Sequence, residues 1–147
     1  MGPPMSKHEF GRRETRTFTV VLVAVLAASL LLIAGSPPAS AFSGSGSGTA
    51  GNPYIITNVN QLQEMNDNLA AYYILGNDID ASATKGWNSG AGFLPVGAFT
   101  GSFDGGGHKI YNLYINRPST SYVGLFGSVG SGGVVKNVGL ENENING

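Results

Sequence analysis

Short apolar segments separated by glycine- and asparagine-rich turns run through the chain from residue 53 onward. These segments have the length of strands, and the one at 72–75 continues with alternation through 78–80. Many short strands joined by Gly-rich turns predict an all-β fold, either a sandwich, a barrel or a β-solenoid. The predicted strands are 53–56, 72–80, 93–96, 99–103, 109–115, 122–126 and 134–140.

One segment, 58–68, has the pattern of a helix instead. Asn58 is the predicted N-cap, and Gln61 three positions later completes a capping box. Leu62, Met65 and Leu69 then form a single apolar stripe. We expect this helix to be short and to fray at 66–68.

A near-repeat close to the C-terminus selects among the all-β folds. Placing segment 109–115 on segment 134–140 superposes Ile110 on Val135 and Asn112 on Asn137. A period in the twenties is typical of a solenoid, whose turns bury their apolar faces against each other. We therefore expect Asn112 and Asn137 to stack, with their amides hydrogen-bonded in a ladder that supports the fold.

The first 41 positions have the order of a Sec-type signal peptide. A basic region with Arg12 and Arg13 precedes an apolar run over 18–34, and Ala39-Ser-Ala41 supplies a cleavage site. We expect cleavage after Ala41, a secreted or cell-surface location, and membrane contact only through this export signal. An uncleaved anchor is the alternative, although the run 18–34 is at the lower limit of length for a span. Segment 42–51 is predicted to be a flexible Gly/Ser linker that does not pack.

Charge and cysteine content exclude other classes. Segment 42–147 carries four basic and seven acidic side chains, a net charge of −3, without the clustered Lys and Arg of a nucleic-acid-binding surface. The chain has no cysteine, so an exported domain of this size must be stabilised by burial rather than by disulfides.

The ordered segments of the chain resemble a known family. Gly48-Thr-Ala-Gly-Asn-Pro-Tyr-Ile-Ile56, Tyr73-Ile-Leu-Gly-Asn-Asp-Ile-Asp80 and Phe99-Thr-Gly-Ser-Phe-Asp-Gly-Gly-Gly-His108 are similar to the opening of secreted right-handed β-helix proteins. Tyr122-Val-Gly-Leu-Phe-Gly127 resembles the lead-in to GLUG-motif repeats. The resemblance implies a pectin-lyase-like right-handed parallel β-helix, with 52–147 forming an N-terminal cap and the first coils. It also implies that the sequence is truncated and that the GLUG repeats themselves lie further on.

The candidate chemical groups have structural interpretations beside the functional ones. Asp78 and Asp80 share a strand face and could bind a hard cation, or they could close a turn. Asp104 and His108 could supply an acid–base pair, but Asp104-Gly105 is a common kind of turn opening. We favour the structural roles, and assign no catalytic residue, metal or cofactor.

Aromatic side chains are the remaining candidates for binding. Trp87 lies in a polar loop, 81–91, and is the strongest candidate for a surface contact. Tyr111 and Tyr114 alternate with apolar residues and are expected on the outer face, where they could stack on a sugar or anchor a protein. Alternatively they pack against the capping helix or a loop.

These observations favour a non-enzymatic adhesion or display scaffold that presents loops 81–91 and 116–121. Its partner would be a carbohydrate or a protein on a host or neighbouring cell. Two alternatives stay open: the N-terminal part of a polysaccharide lyase or glycosidase, or the cap of a protease-bearing surface protein.

Overall fold

The computed structural model describes residues 41–147, so the predicted signal peptide lies almost wholly outside the described residues. The regular structure of this part of the chain consists of eleven short strands, one α-helix and three 3-10 helices, Met65–Asp67, Ser82–Gly86 and Asn88–Gly90. The predicted all-β class with one short helix is thereby confirmed. The elements are β1 (Tyr54–Ile56), α1 (Val59–Glu64), β2 (Tyr72–Leu75), β3 (Ile79–Asp80), β4 (Val96–Phe99), β5 (Ser102–Asp104), β6 (Lys109–Tyr111), β7 (Tyr114–Asn116), β8 (Phe126–Val129), β9 (Val134–Lys136), β10 (Gly139–Glu141) and β11 (Asn144–Asn146).

The strands form four small sheets in which every pairing between strands is parallel. The strand orders are β1-β2-β5-β9, β3-β6-β10, β7-β11 and β4-β8. The four strands β4–β7 thus pair one to one with the next four, β8–β11. Two consecutive stretches of chain therefore follow the same path beside each other.

The spacing between paired residues corrects the predicted period of 25. Ile110 pairs with Leu140 and Ile115 with Ile145, an offset of 30 in residue number that Asn116 and Asn146 share. Phe103 pairs with Val135, at a slightly longer offset. Val135 therefore lies beside Phe103 rather than beside Ile110, and the 25-residue superposition joined different sheets.

Two of the predicted strands are each divided into two by a left-handed residue. Asn112 (φ 60°) separates β6 from β7, and Asn137 (φ 56°) separates β9 from β10. Asparagine adopts this conformation more readily than other non-glycine residues, so it can turn the chain between strands. The predicted strand at 122–126 is also wrong: Tyr122 has φ 61°, and β8 begins at Phe126.

The core is made by side chains that face inward from successive strands. Phe99, Phe103, Ile110 and Ile115 are fully buried, and Ile56 and Leu62 close the core near α1. An aromatic series crosses the layers, with ring centroids 5.5 Å apart for Tyr54 and Tyr73, 6.3 Å for Tyr73 and Phe99, and 5.2 Å for Phe99 and Phe126. Such tilted aromatic contacts add to the stabilisation from burial alone.

Segment 42–51, predicted as a linker that does not pack, packs against the fold. The ring of Phe42 lies 4.5 Å from that of Tyr54, and Ser45 forms an antiparallel bridge with Ile55. The carbonyl of Gly48 accepts a hydrogen bond from Tyr72 N. The small residues permit this close approach: a Cβ on Gly46 would lie 2.0 Å from the Pro53 carbonyl oxygen. Low apolar content therefore did not prevent ordering, because the backbone itself supplies the contacts.

Candidate functional site

A shallow depression of about 540 Å³ lies between α1 with its following 3-10 turn and the loop that precedes β4. We call it the Trp87 groove. It is lined by one aromatic, one aliphatic and six amide or carboxylate side chains: Asn60, Gln63, Glu64, Asn66, Asp67, Trp87, Asn88 and Leu94.

Helix α1 supplies one wall of the groove, because one of its faces is buried in the core and the opposite, polar face borders the groove. Asn58 caps the helix, and its Oδ1 accepts a hydrogen bond from Gln61 N at 3.0 Å. The Gln61 side chain reaches back to Thr57 N at 2.7 Å, one position earlier than in the usual capping box. With the apolar face buried, residues 60, 63, 64 and 67 share the opposite face at helical spacing. The polar residues of the groove thus follow from helical periodicity.

Gln63 joins the two walls. Its Nε2 donates to the Leu94 carbonyl and its Oε1 accepts from Leu94 N, both at 2.9 Å. Asn66 Oδ1 accepts a further hydrogen bond from Gly97 N at 3.0 Å. These amides hold the loop 87–94 at a fixed distance from the helix.

The loop itself has an unusual backbone. Asn88 (φ 51°) and Ser89 (φ 56°) are consecutive left-handed residues other than glycine, and Gly90 and Gly92 also have positive φ. Left-handed non-glycine residues cost free energy and persist only where surrounding contacts fix them. Asn88 Nδ2 provides one such contact by donating to the Gly92 carbonyl at 2.8 Å.

The rear of the loop is held by β7 and by the residue that follows it. Phe93 is fully buried, and its N–H donates to the Tyr114 carbonyl at 2.9 Å. The guanidinium of Arg117 donates to the carbonyls of Phe93 and Gly92, at 3.3 and 3.5 Å. Trp87 is therefore presented on a loop that is tied on both sides.

The groove is electronegative. Glu64 and Asp67 are its charged residues, and its lining contains no Lys or Arg. Behind the wall, burial raises the pKa of the Tyr73 phenol, with smaller contributions from Tyr54 and from these two carboxylates. The phenol stays neutral and donates to the Asn68 carbonyl at 2.9 Å.

The structure does not bring Tyr111 and Tyr114 to this groove. Both are half-buried, and Tyr114 lies beside Gly92, where an added Cβ would meet its Cδ1 at 2.9 Å. Of the three aromatic candidates for ligand binding, Trp87 alone lines the groove.

Asp78 and His108 form a second polar cluster. Asp78 Oδ1 accepts from Lys109 N at 3.0 Å and lies 3.1 Å from His108 Nδ1. The hydrogen bond from Lys109 N, followed by that from His108, lowers the pKa of the Asp78 carboxyl. Lys109, the first residue of β6, also forms an ion pair: its Nζ lies 2.6 Å from Glu141 of β10. His108 is thus placed beside Asp78 rather than beside Asp104.

Asp80 and Asp104 make the same kind of contacts at two different corners of the fold. Asp80 Oδ1 accepts from Ser82 N at 2.9 Å and from Asn112 Nδ2 at 3.3 Å. Asp104 Oδ1 accepts from Gly106 N at 2.9 Å and from Asn137 Nδ2 at 3.0 Å. Each aspartate closes a turn and also binds an asparagine of the next layer.

This geometry corrects the expected ladder between Asn112 and Asn137, which lie at different corners. An asparagine pair at strand spacing does occur elsewhere, where Asn146 Nδ2 donates to Asn116 Oδ1 at 2.9 Å. Gly105 lies where the next layer passes closely, since a Cβ there would lie 2.3 Å from the Asn137 carbonyl oxygen.

The described part of the chain, 41–147, has neither a metal-binding cluster nor a membrane-spanning helix. Within it, no three or more His, Asp or Glu side chains come together in a group able to hold a metal ion. None of the helices in this range has the length and apolar character needed to span a membrane.

Two curated proteins are similar to the chain. It is 45% identical over 108 residues to halomucin of Haloquadratum walsbyi, a match that covers 70% of this chain and 1% of halomucin. It is 35% identical over 117 residues to a protein of Evansella cellulosilytica named as a putative Gly-rich membrane protein, covering 76% of this chain and 13% of that protein. The chain therefore spans a small fraction of the length of these relatives. No family model and no solved structure matches it.

Sequence reasoning selects Trp87 but misses the rest of the groove. In the sequence, Asn60 and Asp67 are only polar positions of a capping helix, and Asn88 and Leu94 belong to a loop and a strand. The signal that could have found them is the helical spacing of 60, 63, 64 and 67, which predicts one continuous polar face. The hydrogen-bond partners of Gln63 and Asn66 are 31 residues further along the chain. This separation is close to the offset of 30 residues between paired strands, which the predicted period of 25 did not reveal.

Proposed function

We propose that the chain is the N-terminal cap and first coils of a right-handed parallel β-helix, which serves as a non-enzymatic adhesion or display scaffold at the cell surface or outside the cell. The observation that carries this proposal is the register of the four strand pairs β4–β8 to β7–β11, which share nearly the same offset in residue number. A solenoid is built by repeating such an offset, since each turn contacts only its neighbours.

The last layer supports continuation of the stack. Val135, Leu140 and Ile145 pair with fully buried residues of the layer before, but they are themselves exposed. Exposed apolar residues in line with a core and a row of unpaired strand edges are the features that a further coil would cover. The relatives are far longer than this chain, which is consistent with many further coils.

The names of the relatives support the surface location. One is halomucin and the other is named as a membrane protein, and the order of segment 1–41 fits an exported chain. The non-enzymatic role is supported by the engagement of the candidate acids: Asp78, Asp80 and Asp104 are each hydrogen-bonded within the fold.

Extension of the chain tests the proposal. A second copy of segment 117–146 appended after Asn146 should form one more layer and bury Leu140 and Ile145. We expect a higher melting temperature and protection of the 139–146 amides from hydrogen exchange. An appended segment with the same composition in scrambled order is the matched control. Unchanged protection with the native segment would count against coil stacking.

The enzyme alternative predicts a different result. A lyase or glycosidase should release reducing or unsaturated ends from an acidic polysaccharide, and Asp104→Asn should abolish that release. This activity would overturn the non-enzymatic role while leaving the β-helix proposal intact.

A further inference from the structure

We propose that the Trp87 groove binds an uncharged or amino-sugar oligosaccharide. This inference rests on the proposed role as a binding scaffold and names the ligand class of one site on it. The remaining features of the groove support this class over anionic glycans and over extended peptides.

The floor and edge of the groove offer apolar contact. Trp87 is half-buried and packs in part against the core, which leaves the rest of its side chain at the groove, and Leu94 is 47% exposed in the same lining. A pyranose ring has an apolar face of C–H groups, which packs on the flat face of an indole. A shallow site of this kind suits a ring or two of a chain that continues into solvent.

The rim offers polar groups that match hydroxyls. Asn60 and Asp67 are exposed on the groove side of the helix and its following turn, and Asn88 is exposed across from them. An amide both donates and accepts, and a carboxylate accepts, so adjacent sugar hydroxyls can be bound as donors and acceptors at once. Gln63 and Asn66 serve a different purpose, because their side chains hold the walls together.

The charge of the groove selects among sugars. Glu64 and Asp67 line the groove without a lining cation to balance them, although one oxygen of Glu64 also accepts a hydrogen bond from Ser43 N at 2.8 Å. A uronate, sialate or sulfate would be repelled, whereas an uncharged sugar is tolerated and an ammonium group is attracted. The expected order is therefore amino or uncharged sugars first and acidic sugars last.

An extended peptide fits less well. Peptides commonly bind by adding a strand to a free backbone edge. The N–H and carbonyl of Leu94 are both bonded to Gln63, and the Gly92 carbonyl is bonded to Asn88. The loop wall therefore presents side chains rather than a strand edge.

The walls are also preformed. Gln63, Asn66 and Arg117 fix the loop before any ligand arrives. A ligand then loses less of its binding free energy to ordering the site, which matters for a shallow surface with few contacts.

Trp87 makes the test direct, because it is the single tryptophan of the chain. The full chain is titrated with chitotetraose, with the glucosamine tetramer and with tetragalacturonate, following indole fluorescence and binding heat. We expect saturable binding of one or both of the first two and a shift of the Trp87 emission. Binding of tetragalacturonate alone, or no saturable binding of the first two, would overturn the inference.

Variants locate the site. Asn60→Ala and Asp67→Ala should each weaken binding about three- to tenfold, as expected for the loss of one hydrogen bond. Trp87→Phe retains an aromatic ring and should weaken binding less than Trp87→Ala, measured by calorimetry. Tyr122→Ala, which removes a ring that is 80% exposed outside the groove, should leave binding unchanged. Equal loss in Tyr122→Ala, or none in Asn60→Ala and Asp67→Ala, would place binding elsewhere.

The outcomes separate this inference from the scaffold proposal. Failure to bind, with the extended chain still gaining a layer, would overturn the ligand class and retain the scaffold. Release of new reducing ends from a bound oligosaccharide would overturn the non-enzymatic role and retain the groove as a sugar site.

Discussion

Leu140 pairs with Ile110 across two parallel strands, yet the two side chains have opposite environments. Ile110 is 0% exposed and Leu140 is 39% exposed. Both face the same side of their sheet, because parallel neighbours in register point the same way. The difference arises because β10 forms the edge of its sheet, whereas Ile110 has strands on both sides.

This asymmetry predicts unequal costs for the same truncation. Ile110→Ala removes fully buried methyl groups and should lower the free energy of unfolding by about 2–5 kcal/mol. Leu140→Ala should cost less than about 1 kcal/mol, since its side chain is already hydrated in part. Urea denaturation of the two variants checks the difference. Similar losses at both positions would mean that Leu140 is covered in solution.

Asn112 should resist replacement by a residue that disfavours the left-handed conformation. Asn112→Leu loses the hydrogen bond to Asp80 and also costs about 1–2 kcal/mol for positive φ. Asn112→Gly also loses the hydrogen bond, but glycine adopts positive φ without a steric cost, so this variant should be the more stable of the two. Thermal unfolding of both variants gives the comparison. The opposite order would show that the turn at this position is not left-handed.

Gly105 should be intolerant of a methyl group. A Cβ there would lie 2.3 Å from the Asn137 carbonyl oxygen and 2.6 Å from Val138 Cα, so Gly105→Ala must push two layers apart. We expect a loss of about 1–3 kcal/mol in the free energy of unfolding. Gly86→Ala is the control, since an added Cβ meets nothing within 4 Å. Equal stability of the two variants would contradict the close layer contact.

Stability should fall in acid. Hydrogen bonds from Lys109 N to Asp78, from Ser82 N to Asp80 and from Gly106 N to Asp104 lower the pKa of each carboxyl. The unfolded chain therefore takes up protons at a higher pH than the folded chain. The stabilisation is present above the ordinary carboxyl pKa of about 4 and is lost as the pH falls through the lowered folded values.

Melting temperatures measured from pH 6 down to pH 2 check this pH dependence. Replacement of Asp104 by Asn should flatten the acid limb of the curve, because one of the linked carboxyls is removed. Asp67→Asn is a suitable control from outside these turns. An acid limb unchanged by Asp104→Asn would indicate that this carboxyl is not hydrogen-bonded in the folded protein.

Local patterns predict the elements of this fold better than their pairing. The cap at Asn58 and the apolar stripe of α1 lie close together in the chain, so the sequence is sufficient to predict the helix, which the structure confirms. The number of residues between paired strands cannot be predicted from local patterns in the same way. Val135 and Leu140 are both apolar and each follows a turn, so either could be matched to Ile110 until hydrogen bonds select one.

The groove is less predictable than the fold. Trp87 is recognisable as an exposed aromatic in a polar loop, but many of its neighbours come from a helix well before it in the chain. Their proximity depends on the pairing of Gln63 with Leu94, a contact between a side chain and the backbone that has no sequence motif. Similarly, the packing of Phe42 depends on glycine backbones coming close together, which composition alone does not reveal.

Cysteine pairs test the stacked register most directly, because the native chain has no cysteine. Tyr111 pairs with Glu141, and strands about 5 Å apart are within the Cα separation of a disulfide. Tyr111→Cys with Glu141→Cys should oxidise rapidly to an intramolecular disulfide. Tyr111→Cys with Lys136→Cys, at the 25-residue spacing, should remain largely reduced under the same conditions. Preferential oxidation of the second pair would contradict the stacked register on which the proposed scaffold role depends.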